Sequence, residues 1–527
     1  MRVAIRADAS ATIGAGHVMR CRSLAGALRA RGADILFICR DHPGNLGTIL
    51  RADGYEVCML PAPGPVAAPP MGSGDYAAWL GGSEEQDAEE TLAALAAGAD
   101  WVVADHYALS PLWENIVRSS GRKLLAMDDL GRHHAADILL DQNFSLDPEA
   151  RYRGRLNANC QTLLGPRFAL LHQAYADSAR TPRPTNERVR RIFVFYGGAD
   201  PSGMTLKTLT ALAHPAFSEV AIDVVVGPMN PHASAIAALA SQRANIVLHA
   251  PRPTLVELLE RADLALGAGG GNTWERCCLG VPAIVVSIAD NQVPASKDLD
   301  RLGVIHYLGP DAAAREHTIR DAVSTLAANA AMRDDMATKG RQLTDGRGAE
   351  RVAELLLPTD IGKLRLRPAR AEDAPFYFHL VNDPEVRRQS FNSAPVLWQN
   401  HLRWLESKLG DPSARLLVLE AAGLPVGQIR FDIADRRANI DYSLDPWVRG
   451  RGWGAALMER GLQAIAEEPI DEVTGHVKRE NLGSCAVFEK LGFKSLHDET
   501  DDKAHFSMNP VDLRGRYSRR APHGPAA

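Results

Sequence analysis

A histidine stands directly behind two glycines in Gly14-Ala15-Gly16-His17. Imidazole titrates near neutral pH, so it can take a proton from water there. The two glycines let the backbone turn sharply and come close to a ligand. Arg2 to Ala7 ahead of them reads as a strand, and Val18 to Arg31 behind them as a helix. A helix start offers unpaired N–H groups and the positive end of the dipole. Strand, Gly-x-Gly-His and helix together read as a ligand mouth carrying a general base. The same spacing also suits a plain turn with an exposed histidine.

Two further glycine runs have the chemistry of anion sites. Gly267-Ala268-Gly269-Gly270-Gly271-Asn272-Thr273 follows a strand at Leu264–Leu266 and opens a helix carrying Trp274, Glu275 and Arg276. Free helix-start N–H groups suit a diphosphate, and Glu275 can accept bonds from ribose hydroxyls. In a plain turn Glu275 would only complement the helix dipole. Arg449-Gly450-Arg451-Gly452-Trp453-Gly454 precedes a helix from Ala455 and reads as a pyrophosphate cradle with two added cations. Gly197-Gly198-Ala199-Asp200 is a third strand-to-helix turn. Gly198 there can face a ligand, or Asp200 can simply cap the helix. Polar clusters end three successive strands: Asp105-His106-Tyr107, Asp128-Asp129 and Asp141-Gln142-Asn143. They point into one cleft, where Tyr107 and Asn143 can orient a sugar or a water and Asp128-Asp129 can hold His17 in its working tautomer.

The elements that must position these residues alternate. Strands at Val3–Ala7, Ile35–Cys39, Trp101–Ala104 and Lys123–Met127 are separated by helical patterns. Strands at Arg191–Phe195, Ala221–Val226, Ile246–His249, Leu264–Leu266 and Ala283–Val286 repeat the rhythm. This predicts two doubly wound parallel sheets whose ligands sit outside the carboxyl ends of the strands. Pro61 to Gly82 reads as a Pro- and Gly-rich surface loop, and Arg180 to Arg188 as a linker. After a helical tail and hinge at 346–362, a third region puts helices first (Glu372–Val381, Val396–Lys408). Strands follow at Arg415–Glu420, Gly427–Ile433, Ala438–Leu444 and Glu472–Val477, with helices at Ala455–Glu467 and Ser484–Leu491. The expected domains are 1–182, 187–358 and 362–510, with 511–527 a disordered Arg-, Pro- and Gly-rich tail.

The string Arg6-Ala7-Asp8-Ala9-Ser10, Ile13-Gly14-Ala15-Gly16-His17-Val18-Met19-Arg20-Cys21 resembles the start of the UDP-2,4-diacetamido-2,4,6-trideoxy-β-L-altropyranose hydrolases of pseudaminic acid biosynthesis. The resemblance spans residues 1 to about 345 and implies a GT-B arrangement of two Rossmann-like domains. It also implies His17 as catalytic base and a UDP site at Gly270, Gly271, Asn272, Thr273 and Glu275. Asn291-Gln292 resembles a substrate-contacting pair of these enzymes, and no metal is implied. A Gly-x-Gly-x-x-Gly fingerprint is absent, which weakens a dehydrogenase reading.

Arg449 to Gly454 matches the Arg-x-x-Gly-x-Gly pattern of GNAT N-acetyltransferases. Asn481, Ser484, Phe488 and Lys490-Leu491-Gly492-Phe493 fall at the same family's spacing. The resemblance implies an α+β domain that uses acetyl-CoA, with Asn481 and Ser484 beside it. Many members carry a tyrosine at the place of Phe488 to protonate the leaving thiolate, so Tyr442 or another group must substitute. Asp441, His476 and Glu480 are candidates to take the amine's proton.

A chain of 527 residues holds about three domains. Hydrophobic residues at 46% and charged residues at 23% are ordinary for a globular protein, and a net charge of −5 gives no general pull toward nucleic acid or membrane. No apolar run reaches the ~20 residues that span a bilayer, and the first residues do not read as a signal peptide. Seven cysteines without a Cys-x-x-Cys read as reduced thiols in the cytoplasm. The two resemblances occupy consecutive steps, acetylation of a UDP-4-amino-sugar and removal of UDP. They predict a bifunctional enzyme. The competing reading is a UDP-sugar glycosyltransferase joined to a GNAT domain that acetylates another amine or a protein.

Overall fold

The computed structural model describes residues 1–10, 12–62, 76–181, 184–227, 229–390, 392–496 and 503–517. The chain forms two compact units, Met1–Leu357 and Pro358–Ala527. Most of the expected loop at Pro61 to Gly82, and the tail from 518, lie outside the described residues.

The first unit contains two wholly parallel sheets. One holds β1 (Arg2–Ala7), β2 (Asp34–Arg40), β3 (Glu56–Leu60), β4 (Trp101–Asp105), β5 (Lys123–Met127), β6 (Ile138–Asp141) and β7 (Gln161–Leu164) in the order 3-2-1-4-5-6-7. The other holds β8 (Arg191–Phe195), β9 (Ala221–Val225), β10 (Ile246–His249), β11 (Leu264–Ala268), β12 (Ala283–Ser287) and β13 (His306–Pro310) in the order 10-9-8-11-12-13. Both are Rossmann-like, and the pair adopts the GT-B arrangement. Their central strands are runs of buried Val, Ile, Leu and Ala, as strands covered on both faces require. The order reverses between β1 and β4 and again between β8 and β11. A crevice opens at such a switch point. The carboxyl ends of these four strands and the turns and helix starts that follow them carry His17, Asp105, Gly198 and Gly269–Gly271.

The helix Gly348–Leu356 departs from expectation. The expected domain 187–358 groups it with the second sheet, yet it packs on the Gly16–Ala30 helix and the Pro166–Phe168 turn of the first. Arg31 bonds Leu357 O at 2.7 Å and pairs with buried Glu354 at 2.6 Å. Arg351 donates to Arg167 O at 2.9 Å. The chain therefore crosses back before the unit ends.

The second unit is a mixed sheet in the order 14-15-16-17-18-20-19. Its strands are β14 (Arg365–Pro368), β15 (Ala414–Ala421), β16 (Leu424–Ala434), β17 (Arg437–Leu444), β18 (Glu472–Lys478), β19 (Lys494–Leu496) and β20 (Lys503–Met508). A strand, not a helix, comes first: β14 pairs with β15 from Arg365↔Glu420 to Pro368↔Leu417. Pro510–Tyr517 is helical rather than disordered, because Leu513 and Tyr517 are buried and Tyr517 donates to Leu491 O at 3.1 Å. The one parallel pair, β17 with β18, is joined only from Arg437↔Glu472 to Ile440↔Gly475. Beyond it β17 stays paired to β16 as far as Leu444, and β18 to β20 as far as Lys478. The two strands therefore splay apart and leave Asp441 to Leu444 with an unpaired edge.

Candidate active sites

Gly14 takes a left-handed φ of +82°, and its N–H bonds Ser10 O at 2.8 Å. This closes the turn and places Gly16 and His17 at the first turn of the following helix. Register alignment puts Ala7 beside Asp105. His17 Nδ1 consequently meets Asp105 Oδ1 at 2.7 Å. Asp105, rather than Asp128 or Asp129, supports the histidine. β4 is the neighbour of β1 in the sheet, and β5 lies one strand further out. Asp128 instead accepts bonds from Arg132 and from the Tyr152 hydroxyl.

Arg20, three residues after His17 and marked by no motif of its own, ties the site together. Its guanidinium donates to both Asp105 oxygens at 2.7 and 2.6 Å and to both Asp129 oxygens at 3.0 and 2.7 Å. Asp129 also accepts from the Tyr107 hydroxyl at 2.7 Å and the Asn143 amide at 2.9 Å. Asp105 has no exposed surface. Burial alone would favour its neutral form, but Arg20 and His17 outweigh it and hold the carboxyl well below the usual range. An ionised Asp105 keeps the proton on Nδ1 and leaves the Nε2 lone pair for water. His106 Nδ1 accepts from Ala108 N–H at 3.1 Å, so its proton sits on Nε2, toward Asp8 Oδ2 at 3.5 Å. That nitrogen presents a donor, not a metal-binding lone pair.

Residues of the second sheet meet this group across the crevice. Asn291 Nδ2 donates to the Tyr107 hydroxyl at 3.3 Å. The Gly269–Gly271 turn opens the helix Asn272–Leu279, which has no side-chain cap. A Cβ on Gly269 would lie 2.6 Å from Ser296 Oγ and 3.3 Å from Gln292 Cβ, so a side chain there would have to displace the serine hydroxyl. Gln292 Nε2 lies 3.5 Å from where a Gly270 Cβ would stand, and Gln142 Nε2 of the first sheet lies 3.9 Å from that of Gly271. Two amide donors thus flank an uncapped helix start. Asn272 Nδ2 holds Glu275 Oε2 at 2.6 Å. Burial raises the Glu275 pKa above its ordinary value, against bonds from Asn272 and Tyr175. Thr273 is buried, and its hydroxyl serves Arg276 at 3.0 Å, so only its backbone faces the turn. Asp200 takes φ +43° and caps Met204 and Thr205 N–H at 2.9 and 2.8 Å, the structural alternative weighed from the sequence.

In the second unit a cavity of about 1000 Å³ opens where β17 and β18 part. Gly450 and Gly452 line it with φ of +79° and +76° and nothing near their missing side chains. The helix Trp453–Ile465 behind them has no side-chain cap. These features fit a pyrophosphate cradle. The flanking side chains serve other ends. Arg449 lines the cavity but is paired with Asp383 at 2.6 Å and bonds Leu444 O at 3.2 Å. Arg451 lies over the Trp453 ring at 5.7 Å, and Trp453 is buried in the core. Asn481 caps its helix through Ser484 N–H at 3.1 Å. The Tyr442 hydroxyl donates to Ser484 Oγ at 3.1 Å, and both line the cavity. Phe488 is buried, with its ring end against Gly475 and its face on Phe506 at 4.8 Å, so a hydroxyl has no room there. Asp441 and His476 reach the cavity, whereas Glu480 is exposed and pairs with Arg388 at 3.3 Å.

Residues 363–494 match the acetyltransferase (GNAT) domain family. The chain is 27% identical over 209 residues to the spore coat polysaccharide biosynthesis protein SpsG of Bacillus subtilis, covering 40% of this chain and 61% of that protein. It thus spans less than two thirds of that relative. It is 23% identical to the UDP-2,4-diacetamido-2,4,6-trideoxy-beta-L-altropyranose hydrolase of Campylobacter jejuni, over 50% of this chain and 83% of that enzyme. An uncharacterized protein of Methanocaldococcus jannaschii is 21% identical over 97% of this chain and its own full length. No helix among the described residues is long and apolar enough to cross a membrane.

Proposed function

We propose that this chain, which joins a homologue of a UDP-sugar hydrolase to a GNAT acetyltransferase domain, is a bifunctional enzyme of pseudaminic-acid-type sugar synthesis that uses acetyl-CoA. Its second unit acetylates the 4-amino group of a UDP-amino-sugar. Its first unit then hydrolyses UDP-2,4-diacetamido-2,4,6-trideoxy-β-L-altropyranose. The observation that carries the reading is the His17–Asp105 pair, held by Arg20 at one lip of the crevice whose other lip is the Gly269–Gly271 turn.

In the hydrolysis, water oxygen attacks the anomeric carbon as the bond from that carbon to the diphosphate oxygen breaks. UDP takes the bonding pair, and His17 Nε2 takes the water proton. The diphosphate is a good leaving group, so the chain need only receive its charge. The N–H groups at the Asn272 helix start, with Gln142 and Gln292, do so, and Glu275 holds the ribose. A base opposite the leaving group is also the geometry of inverting glycosidases. In the second unit, acetyl-CoA supplies an activated acetyl thioester. Gly450, Gly452 and the N–H groups of the Trp453 helix hold its pyrophosphate. Asp441 and His476 stand ready for the amine's proton, and Tyr442 carries the O–H that Phe488 lacks.

The test is to incubate the full chain with acetyl-CoA and a UDP-4-amino-sugar and to follow both products by mass spectrometry. His17→Ala is expected to accumulate the acetylated UDP-sugar, with UDP release slowed about 10²–10⁴-fold. Hydrolysis near the wild-type rate would remove His17 as base.

A further inference from the structure

Beside His17 stands an aromatic wall that no motif marks. Tyr76 and Trp79 belong to the short Ala77–Leu80 helix and its preceding residue. Trp79 stacks on Tyr107, with ring centres 5.6 Å apart and planes 23° apart. Tyr76 meets Trp79 at 4.7 Å and Tyr107 at 4.9 Å, both edge-on. His17 meets Tyr107 at 4.6 Å and Trp79 at 6.4 Å, both edge-on. The wall also holds an unpaired donor. Trp79 Nε1 is buried without a hydrogen-bond partner among the described residues. A buried indole N–H normally finds an acceptor, because leaving it unpaired forfeits its hydration with nothing in return.

We propose that Trp79 and Tyr76 recognise an acetamido group of the sugar, and that this makes UDP release follow acetylation. The inference rests on the hydrolase reading above. An acetamido group carries a methyl that packs on an aromatic face and a carbonyl oxygen that accepts from an indole N–H. A protonated amine in the same place is all donor and no acceptor, and it meets Trp79 Nε1 donor to donor. The first unit therefore distinguishes the product of acetyl transfer from its precursor beside the catalytic imidazole, without needing a contact from the second unit.

The experiment compares kcat/KM for UDP release from a diacetamido UDP-sugar and from the same sugar with a free 4-amine. The wild-type chain is expected to prefer the acetamido substrate by about tenfold or more, the worth of one hydrogen bond to a buried group. Trp79→Ala should bring the two within about twofold of each other, while UDP alone binds as before by calorimetry. Trp79→Phe keeps the wall and removes the donor, so its preference should fall between. Equal slowing of both substrates by Trp79→Ala, or an unchanged preference, overturns the proposal. A binding arm separates its failure from that of the hydrolase reading. If the wild-type chain releases UDP from neither sugar, the hydrolase reading fails. Calorimetry on the His17→Ala chain then decides: tighter binding of the acetamido sugar that Trp79→Ala abolishes supports the wall, and equal affinities overturn it.

Discussion

Each unit offers an uncapped helix start behind glycines, but the glycines are there for different reasons. In the first unit Gly269 to Gly271 have no left-handed φ, and a Cβ on Gly269 would press on the Ser296 hydroxyl. In the second unit Gly450 and Gly452 have open space around them and are required by their left-handed backbone. The neighbouring charges differ in the same way. Asp105, Arg20 and Asp129 form a nearly solvent-free chain of ion pairs that fixes His17 from behind. Around the acetyltransferase cavity the acids and bases are partly exposed, and the edge of β17 from Asp441 to Leu444 is left unpaired by β18. The catalytic lip of the first site is built of positioned side chains, the second site largely of exposed backbone. Substitutions of side chains should therefore hurt the first most, and substitutions of backbone conformation or space the second.

The largest effect should come from Asp105→Asn. An amide no longer favours the proton on His17 Nδ1, and it loses its ionic bond to Arg20. UDP release should fall by about 10²–10⁴, the range for disabling a general base, with acetyl transfer unchanged in the same sample. Comparable rates from both chains would mean that Asp105 is not what orients the imidazole. The matching break in the second unit is Gly452→Asp. It puts a carboxylate into the pyrophosphate cradle and a side chain at φ +76°. Acetyl-CoA affinity should drop by about 10²-fold, from two to three kcal/mol of like-charge repulsion and strain. UDP release from a preacetylated sugar should not change. If titration shows acetyl-CoA binding intact, the cradle lies elsewhere.

These two residues also show what the sequence could and could not reveal. Glycine turns between a strand and a helix are local, so the Gly14, Gly269 and Gly452 turns were legible. The strand-end acids were legible as a group, but the partner of His17 was not. That choice depends on strand order, and only the 3-2-1-4 order brings Asp105 rather than Asp128 beside Ala7. β14 and β20 escaped notice because each is defined by a distant partner, β15 and β18 respectively. Trp453 read as part of a cofactor loop, but its ring is used by the core. Tyr76 and Trp79 lie inside the Pro61 to Gly82 stretch, whose Pro- and Gly-rich composition reads as a loop and hides the short Ala77–Leu80 helix. Arg20 had a signal that went unused: three residues after His17, it lies on the same helix face.

Glu275→Ala sharpens the comparison on a smaller scale. Glu275 stands beside a helix start of free N–H groups flanked by Gln142 and Gln292, and its ribose bonds would be made equally in ground and transition states. UDP affinity should fall about tenfold, with kcat at saturating substrate nearly unchanged. Calorimetry with UDP and a saturation curve measure the two separately. A fall in kcat alone would move Glu275 from binding to chemistry.

The smallest predicted effect is one of stability, and it tests how far the first site's buried charges are coupled. Asp141 is 3% exposed, and burial, with Asp129 nearby, pushes its carboxyl up to about 6 against the pull of Arg151. The Tyr152 hydroxyl lies 2.9 Å from Asp141 Oδ2 and 3.1 Å from Asp128 Oδ2. Burial works against the charge on Asp128 as well, but His134 and Arg132 overcome it and keep that carboxyl ionised. Tyr152 therefore gives its single proton to Asp128, and a protonated Asp141 can donate to the Tyr152 oxygen. A folded pKa above the unfolded value of about 3.9 means that the folded chain holds more protons between pH 4 and 6. Its stabilising contribution is present below pH 4, fades as pH rises toward 6, and is gone above that. Asn has the shape of the protonated acid and keeps a donor for Tyr152 at every pH. Asp141→Asn should raise the first unit's unfolding midpoint by a few degrees at pH 8, given about 2–4 °C per kcal/mol for a domain of this size, and leave it unchanged at pH 4. Scanning calorimetry at both pH values reads the difference. An equal shift at both, or a loss at pH 8, would show that Asp141 is held as a carboxylate, and that Arg151 outweighs burial.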